Sequence, residues 1–474
     1  MARAPQFFNT LGRALVPFEP LEEGHVRLYT CGPTVYGHAH IGNLRAFVFE
    51  DVLRRALRFL GYRVTQVMNL TDVDDKTIEK AGAQGVSLAE YTRPFIESFF
   101  ADLETLHVER AEHYPRATEH VPAMVELVGR LMEKGYAYEA DGSVFFRIAA
   151  DEDYGRLSGF DLEAGRQGER VASDEYGKED GRDFVLWKGA KPGEPAWDSP
   201  WGPGRPGWHL ECSAMSIEYL GETFDMHTGG VDNIFPHHEN EIAQSESATG
   251  KPFARYWLHT EHLIVDGEKM SKSLGNFYTL KDLLARGVAP RAMRYLLLAT
   301  HYRKKLNFTF EGLDDAAHAL ARVDQMRFRL EHARERDAGD PALPALCDRA
   351  LEDFTAALAD DLNAAGALGP LFTFVKAVNV AIEEGRLARG DKARVRAALA
   401  RMDEVLAVLD PALWESGADE AAGPADEEIA ALVAERQSAR AARDFDRADR
   451  VRDRLAALGV VVEDTPDGPR WKRR

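Results

Sequence analysis

The chain has 474 residues, with 59 Lys plus Arg against 78 Asp plus Glu and a formal net charge of −19 at pH 7. The length calls for several folding units, and 45% hydrophobic with 29% charged residues excludes a largely disordered chain. The acidic balance excludes a nonspecific nucleic-acid coat while leaving room for a local basic footprint. No apolar run approaches the ~18–20 residues that cross a bilayer, and the N-terminus lacks a secretory h-region. Three scattered cysteines, Cys31, Cys212 and Cys347, make no disulfide framework, so a cytoplasmic protein without membrane contact is expected.

In chain order, residues 26–31 read as a buried strand followed by a Gly/Pro loop. Leu44, Phe47, Val48, Val52, Leu53, Leu57 and Leu60 then mark one face of a helix. Gly61 caps it, and residues 62–69 form the next strand. This β-α-β unit predicts a parallel sheet whose ligands bind beyond the strands' carboxyl ends, where Cys31 and Asn69 stand. The Gly-, Pro- and acid-rich stretch 142–207, with strand pieces at 144–148 and 184–187, reads as an insertion. Alternation resumes with a strand at 223–227, a Gly-Gly turn, a helix at 235–247 and a strand at 262–266.

Beyond Asn307 the apolar stripes Leu313/Leu320/Val323/Met326/Leu330, Leu351/Phe354/Leu358/Leu362 and Val395/Leu399/Met402/Val405/Leu409 predict a helical bundle. A linker follows, and then Arg436, Arg440, Arg443, Arg447, Arg450 and Arg454 recur at helical spacing before a strand at 460–462 and a basic tail. From Arg436 to the end, eleven basic residues stand against seven acidic ones. The fold class is therefore α/β. It comprises a Rossmann-like parallel-sheet catalytic domain in two halves (1–125 and 207–306) around an insertion (126–206), a helical bundle (307–414), a linker (415–428) and a small C-terminal α+β module (429–474).

Two segments are of a type suited to phosphate chemistry, although each by itself reads more readily as an ordinary surface loop. Gly37-His38-Ala39-His40-Ile41-Gly42-Asn43 sits where a loop becomes a helix, so free N–H groups and dipole face an anion and imidazoles can stabilise charge on a transferring phosphate. Glu268-Lys269-Met270-Ser271-Lys272-Ser273 offers two lysines as point charges for a polyphosphate. Cys31, Cys212, His237 and Glu241 are of metal-ligand type, and His237 and Glu241 stand four apart on one predicted helix face. By spacing alone the cysteines read more readily as small buried hydrophobes than as zinc ligands. A metalloprotease reading fails, because His238-Glu239-Asn240-Glu241-Ile242 lacks the second His of H-E-x-x-H.

Together, His40-Ile41-Gly42-Asn43 and Lys269-Met270-Ser271-Lys272-Ser273 resemble the HIGH and KMSKS signatures of class I aminoacyl-tRNA synthetases, with Asn43 where the fourth His is typical. The stretches Tyr29-Thr30-Cys31-Gly32-Pro33-Thr34-Val35-Tyr36, Asn69-Leu70-Thr71-Asp72-Val73-Asp74-Asp75-Lys76, Gly207-Trp208-His209-Leu210-Glu211-Cys212 and Pro236-His237-His238-Glu239-Asn240-Glu241 resemble the cysteinyl-tRNA synthetase family. The resemblance implies ligation of L-cysteine to tRNA(Cys) through a cysteinyl-adenylate. It further implies ATP with Mg2+, a monomer, and one zinc ion on Cys31, Cys212, His237 and Glu241 that selects the substrate thiolate over serine. His38, His40, Lys269 and Lys272 become the catalytic residues, and Gly42 and Asn43 join His40 and both lysines at ATP. Thr71, Trp208, His227 and Asp232 are expected at the substrate, while Cys347 matches no ligand and reads as core. Asp72, Asp74 and Asp75 read equally as a solvated loop. Four protein ligands ordinarily close a zinc site, so Glu241 is expected to bind weakly or the ion to become five-coordinate. The rival readings are a cysteine ligase acting on an amino sugar, which would lack the terminal RNA-binding module, and a non-catalytic zinc- and nucleotide-binding regulator.

Overall fold

The computed structural model describes residues 4–160, 180–271, 273–337, 339–414, 426–458, 460–465 and 468–473. The chain forms two compact units, Met1–Asp410 and Pro411–Arg474.

The centre of the larger unit is a four-stranded sheet of β1 (His25–Thr30), β2 (Arg63–Met68), β3 (Phe224–Gly230) and β4 (Ala254–Thr260), all parallel and ordered β4-β3-β1-β2. Helix α1 (Ile41–Phe59) makes the first crossover. Its Leu44, Phe47, Val48, Val52, Leu53 and Leu57 are buried, as their spacing requires. The helix ends at Leu60, and Gly61 takes the positive φ of 101° one residue later. Because β2 lies on one side of β1 and β3 on the other, strand order reverses between β1 and β3, and a crevice opens there beyond their carboxyl ends.

Helix α2 (Trp208–Leu220) precedes β3, and α3 (Glu239–Thr249) follows it. The helix expected from residue 235 begins only at Glu239. Phe235 is extended (φ −135°, ψ 132°), so residues Ile234–His238 form an irregular wide turn ahead of it. The insertion carries an antiparallel sheet of Ala137–Ala140, Ser143–Phe146, Phe184–Gly189 and Gly204–Pro206, whose two outer strands were too short for alternation to reveal. A hairpin, Gln6–Asn9 with Ala14–Pro17, flanks edge strand β4, where the Asn9 carboxamide bonds both Arg255 O (2.9 Å) and Trp257 N–H (2.8 Å).

Four helices complete this unit: α4 (Phe310–His332), α5 (Leu343–Ala359), α6 (Ala364–Glu383) and α7 (Asp391–Leu406). Cys347 is buried in α5. By length and composition α6 is apolar enough to cross a bilayer, although Pro370 and Lys376 interrupt its apolar run. Here it packs as a bundle helix, with Leu371, Phe374 and Val378 buried.

Two buried arginines fasten α1. Arg45, 2% exposed, donates to the carbonyls of His262, His301, Tyr302 and Lys304. Arg294, fully buried, donates to Asp51 (2.5 Å) and to the carbonyls of Leu106 and Leu406. Both guanidiniums donate to several acceptors, which offsets part of the cost of burying the charge.

The smaller unit packs helices Asp426–Ala441 and Phe445–Ala457 with a hairpin, Val460–Thr465 and Gly468–Arg473, around Ile429, Leu432, Val433, Val451 and Leu455. The linker expected at 415–428 lies outside the described residues up to position 425.

Candidate active site

The crevice between β1 and β3 gathers the four ligand-type side chains. Cys31 follows β1, Cys212 stands in the second turn of α2, His237 in the wide turn and Glu241 in the first turn of α3. One ligand atom from each lies within 4.8 Å of all the others. Main-chain bonds hold Cys31 between its neighbours: its N–H donates to Thr228 O (3.1 Å), and the next N–H, of Gly32, to Asn69 Oδ1 (2.8 Å).

Electrostatics sort the four groups. The Cys31 thiol hydrogen-bonds Cys212, which together with burial raises Cys31 well above its ordinary value. Receiving that bond, Cys212 drops to about 6 despite burial. Burial opposes protonation of His237, but the Glu241 carboxylate and the Cys212 thiolate outweigh it and bring the imidazole to about 10. Burial likewise opposes ionisation of Glu241, yet His227 and His237 hold it at about 2. Two buried anions thus share one imidazolium, and Glu241 Oε1, though 3.0 Å from His237 Nε2, makes no well-aligned hydrogen bond. A divalent cation satisfies that atom and the excess negative charge, so the residues fit a metal.

A second combination, Cys31 with His227, His238 and Glu241, is equally compact. Both histidines are fully buried, however, and engaged: His227 Nε2 bonds Glu241 (2.8 Å) with its ring stacked on Trp257, and His238 Nδ1 bonds His259 (2.8 Å). The first combination instead reaches the surface. Its link to the surface is His237, on whose ring Trp208, 44% exposed, stacks at 4.2 Å.

The expected substrate residues divide accordingly. Trp208 stands at the mouth, and Asp232 is exposed on the turn after β3. His227 lies beneath Glu241 instead, and Thr71 is buried, donating to Glu211 Oε2 (2.8 Å) and accepting from Asn69 Nδ2 (3.1 Å). Glu211 escaped sequence reading, as did the imidazoles of His209, His238 and His259. His209 bonds His237 (2.9 Å), and burial drives all three below their usual range. The His237-His238 pair was their one visible signal. The three nearby aspartates are structural: Asp72 caps Thr118, Asp74 caps helix Asp75–Gln84, and Asp75 pairs with Lys188 (2.8 Å) and Arg205.

The two phosphate-type segments meet across this crevice. His40 is the N-cap of α1 and closes a capping box: Asn43 N–H donates to His40 Nδ1 (3.2 Å), and His40 N–H donates to Asn43 Oδ1 (3.1 Å). Asn43 therefore has a local structural task. Because Nδ1 accepts, the proton of a neutral His40 sits on Nε2. Burial keeps His40 below its usual value, with the Asp232 carboxylate opposing. His38 is turned away, bonded to Ser98 Oγ (2.8 Å) and edge-on to Phe95.

Ile41 N–H donates to Tyr278 O (3.0 Å), His40 bridges Thr279, and the His40 ring meets Phe277 edge-on. A Cβ on Gly42 would lie 3.4 Å from Met270 Cε, so the second segment reaches the first turn of α1. Lys269 is exposed on a short strand antiparallel to residues 264–265. Asn276 clips the loop, accepting from Ser271 N–H (2.8 Å). Lys272 lies outside the described residues.

Comparison with known proteins places the chain in a family. Residues 17–318 match the family described as tRNA synthetases class I (C) catalytic domain, residues 353–410 the DALR domain, and residues 423–471 the cysteinyl-tRNA ligase anticodon binding domain. A cysteine–tRNA ligase of Solibacter usitatus is 48% identical over 99% of this chain and 100% of its own length. One of Chlamydia pneumoniae is 49% identical over 98% of each. Among solved structures, Mycobacterium tuberculosis methionyl-tRNA synthetase in complex with methionyl-adenylate shares the fold at TM-score 0.58 and 18% identity, covering 81% of this chain and 90% of that one.

Proposed function

Since the chain belongs to the cysteine–tRNA ligase family, it couples ATP to the joining of cysteine and tRNA(Cys), and we propose that zinc held by Cys31, Cys212, His237 and Glu241 selects the amino acid. The observation that carries this reading is the convergence of those four ligand atoms beside the exposed Trp208. Zinc supplies a soft Lewis acid that prefers a thiolate to serine's hard, protonated hydroxyl. This matters because an apolar pocket separates such near-isosteres by only about 10–200-fold.

The chain's own residues do the rest. His227 and His237 keep Glu241 ionised, Trp208 walls the entrance, and Thr71 with Glu211 braces the floor. Cysteine's carboxylate attacks the α-phosphate of Mg2+-bound ATP, giving cysteinyl-adenylate and pyrophosphate. In this step His40 offers Nε2–H, the N-terminus of α1 offers free amides, and Lys269 with Lys272 neutralises the leaving polyphosphate. His38, turned toward Ser98, reaches the phosphates only by rotating. Residues 1–125 and 207–306 form the catalytic domain around the insertion 126–206, and the bundle 307–414 and module 429–474 serve tRNA. We place the enzyme in the cytoplasm as a monomer. The match at 423–471 to an anticodon-binding domain favours this reading over an amino-sugar ligase.

The deciding experiment is cysteine-dependent ATP–pyrophosphate exchange without tRNA, followed by charging when tRNA(Cys) is added. Exchange that is absent, or equal with serine in the zinc-loaded protein, refutes the reading.

A further inference from the structure

His237 and Glu241 stand four residues apart, yet no continuous α-helix fixes their spacing, because His237 lies in the wide turn Ile234–His238 and α3 begins only at Glu239. What holds this stretch comes from the insertion. Residues 154–160 lie against the start of α3, and three of their main-chain N–H groups converge on one carboxylate. Gly155 N–H donates to Glu239 Oε1 (3.0 Å), Leu157 N–H to the same oxygen (3.4 Å) and Ser158 N–H to Oε2 (2.7 Å). Glu239 is 1% exposed, and these bonds offset the cost of burying its carboxylate.

The segment's other contacts fall on either side of His237. Before it, Phe160 stacks on Phe235, with ring centroids 4.8 Å apart and planes at 15°. After it, Tyr154 O–H donates to the buried Asn240 Oδ1 (2.6 Å), and Arg156 pairs with Glu246. Leu157, fully buried, belongs to the apolar cluster that also contains Cys212 and Ile242. The segment keeps a fixed shape of its own. Gly155 has a φ of 100°, and a Cβ there would overlap Phe160 O, so only glycine lets this loop close. Cys31, by contrast, is held by the sheet region through Thr228 and Asn69.

We propose that residues 154–160 of the insertion are the template on which the metal-binding turn is set, with Glu239 as a positioning residue for His237 and Glu241. The proposal rests on the metal reading given above. Glu239, Asn240 and Glu241 share the first turn of α3. The first two grip the insertion and the third faces the crevice, so the direction of Glu241 follows from what its two neighbours hold. Phe235 does the same for His237 from the other side. Cation affinity depends on ligands held at fixed spacing, and groups that orient them matter nearly as much as the ligands. The insertion thereby tunes the metal end of the crevice, where the amino acid is read, while the phosphate end stands on α1.

The test compares full-length wild type, Glu239→Ala, Glu239→Gln and Tyr154→Phe. Zinc affinity is measured by chelator competition, coordination by the visible d–d bands of the cobalt(II)-loaded protein, and pyrophosphate exchange gives separate KM values for cysteine and ATP. Glu239→Ala leaves three amides without their acceptor. It is expected to weaken zinc about ten- to hundredfold, to change the cobalt bands at saturation and to raise the cysteine KM, with the ATP KM near wild type. Glu239→Gln keeps the size and one acceptor oxygen and is expected to recover part of each. Wild-type zinc affinity and cobalt bands in Glu239→Ala overturn the proposal. So does a lowered Tm with both KM values raised alike, which marks a merely structural carboxylate. If both Glu239 variants fail to fold, Tyr154→Phe decides, since it removes a single hydroxyl from the segment: altered cobalt bands support the proposal and wild-type bands overturn it. A wild-type protein that binds neither zinc nor cobalt would instead fault the metal reading.

Discussion

Gly42→Ala separates stability from catalysis at the first turn of α1. Gly42 is helical, so alanine would ordinarily stabilise the helix, by up to about 1 kcal/mol in a helix interior and less at its end. The new Cβ, however, would lie 3.0 Å from both Cε1 and Nδ1 of His40, where relaxed carbon contacts need ~3.5–4.0 Å. The ring must shift by several tenths of an ångström. It cannot do so and keep the 3.2 Å bond from Asn43 N–H, whose loss costs about 0.5–2 kcal/mol as for other N-caps. Gain and loss nearly cancel, so the unfolding free energy should stay within about 1 kcal/mol of wild type. Adenylate formation should not be spared. Moving Nε2 off its line to the phosphate is expected to slow pyrophosphate exchange about ten- to hundredfold, chiefly in kcat. Thermal unfolding and exchange kinetics on the same preparation check both halves. An unchanged exchange rate would refute the assignment of His40 to the reacting phosphate.

Replacing Cys212 by Ser should lower bound zinc and abolish preference for cysteine over serine while leaving ATP affinity nearly intact; full zinc occupancy by elemental analysis, with unchanged cysteine affinity, would contradict this. In the metal-free protein between pH 7 and 9, Cys31 and His237 are both protonated, whereas Cys212 and Glu241 are already ionised. Zinc must expel two protons, so its apparent affinity should rise about a hundredfold per pH unit across that window. Chelator competition giving a slope below one proton would show that the site does not hold those protons. Lys272→Ala should lower the single-turnover adenylation rate with little change in cysteine affinity, and a wild-type rate would remove that lysine from the transition state. A chain stopped between residues 415 and 425 keeps the whole Met1–Asp410 unit and should exchange pyrophosphate normally, but bind tRNA weakly and with a shallower salt dependence. Wild-type charging across a salt series would reduce the terminal arginines to an ordinary solvated face, in which Arg447–Glu435 and Arg452–Asp449 are already paired.

The β-α-β unit was legible because α1 and its flanking strands are buried on faces that sequence period exposes, whereas the ligand quartet was named only through the resemblance of its surrounding stretches to a known family. What stayed hidden depends on shape. The wide turn at Ile234–His238 breaks the helical period, so His237 was placed on a helix it only precedes. Asn43 reads as a departure from a motif until its carboxamide is seen closing the capping box. His227 closes the strand expected at 223–227 like a substrate contact, yet β3 runs on to Gly230 and its alternation points His227 under Glu241. The buried imidazoles of His209, His238 and His259 come from three separate elements, and no spacing along the chain could have joined them.

The strand order β4-β3-β1-β2 also dictates when the site can exist. Synthesis delivers β1, α1 and β2 first, but β1 gains its second neighbour only when β3 has emerged, after the whole insertion. Cys31 accordingly waits through more than half of the larger unit for His237 and Glu241. Closing so long a loop is slow and must be repaid by sheet pairing, not by one ion. The proposed metal would thus be a late arrival that reports the pairing of β3 with β1, and a ribosome-bound chain ending before α3 should neither capture it nor be rescued by it.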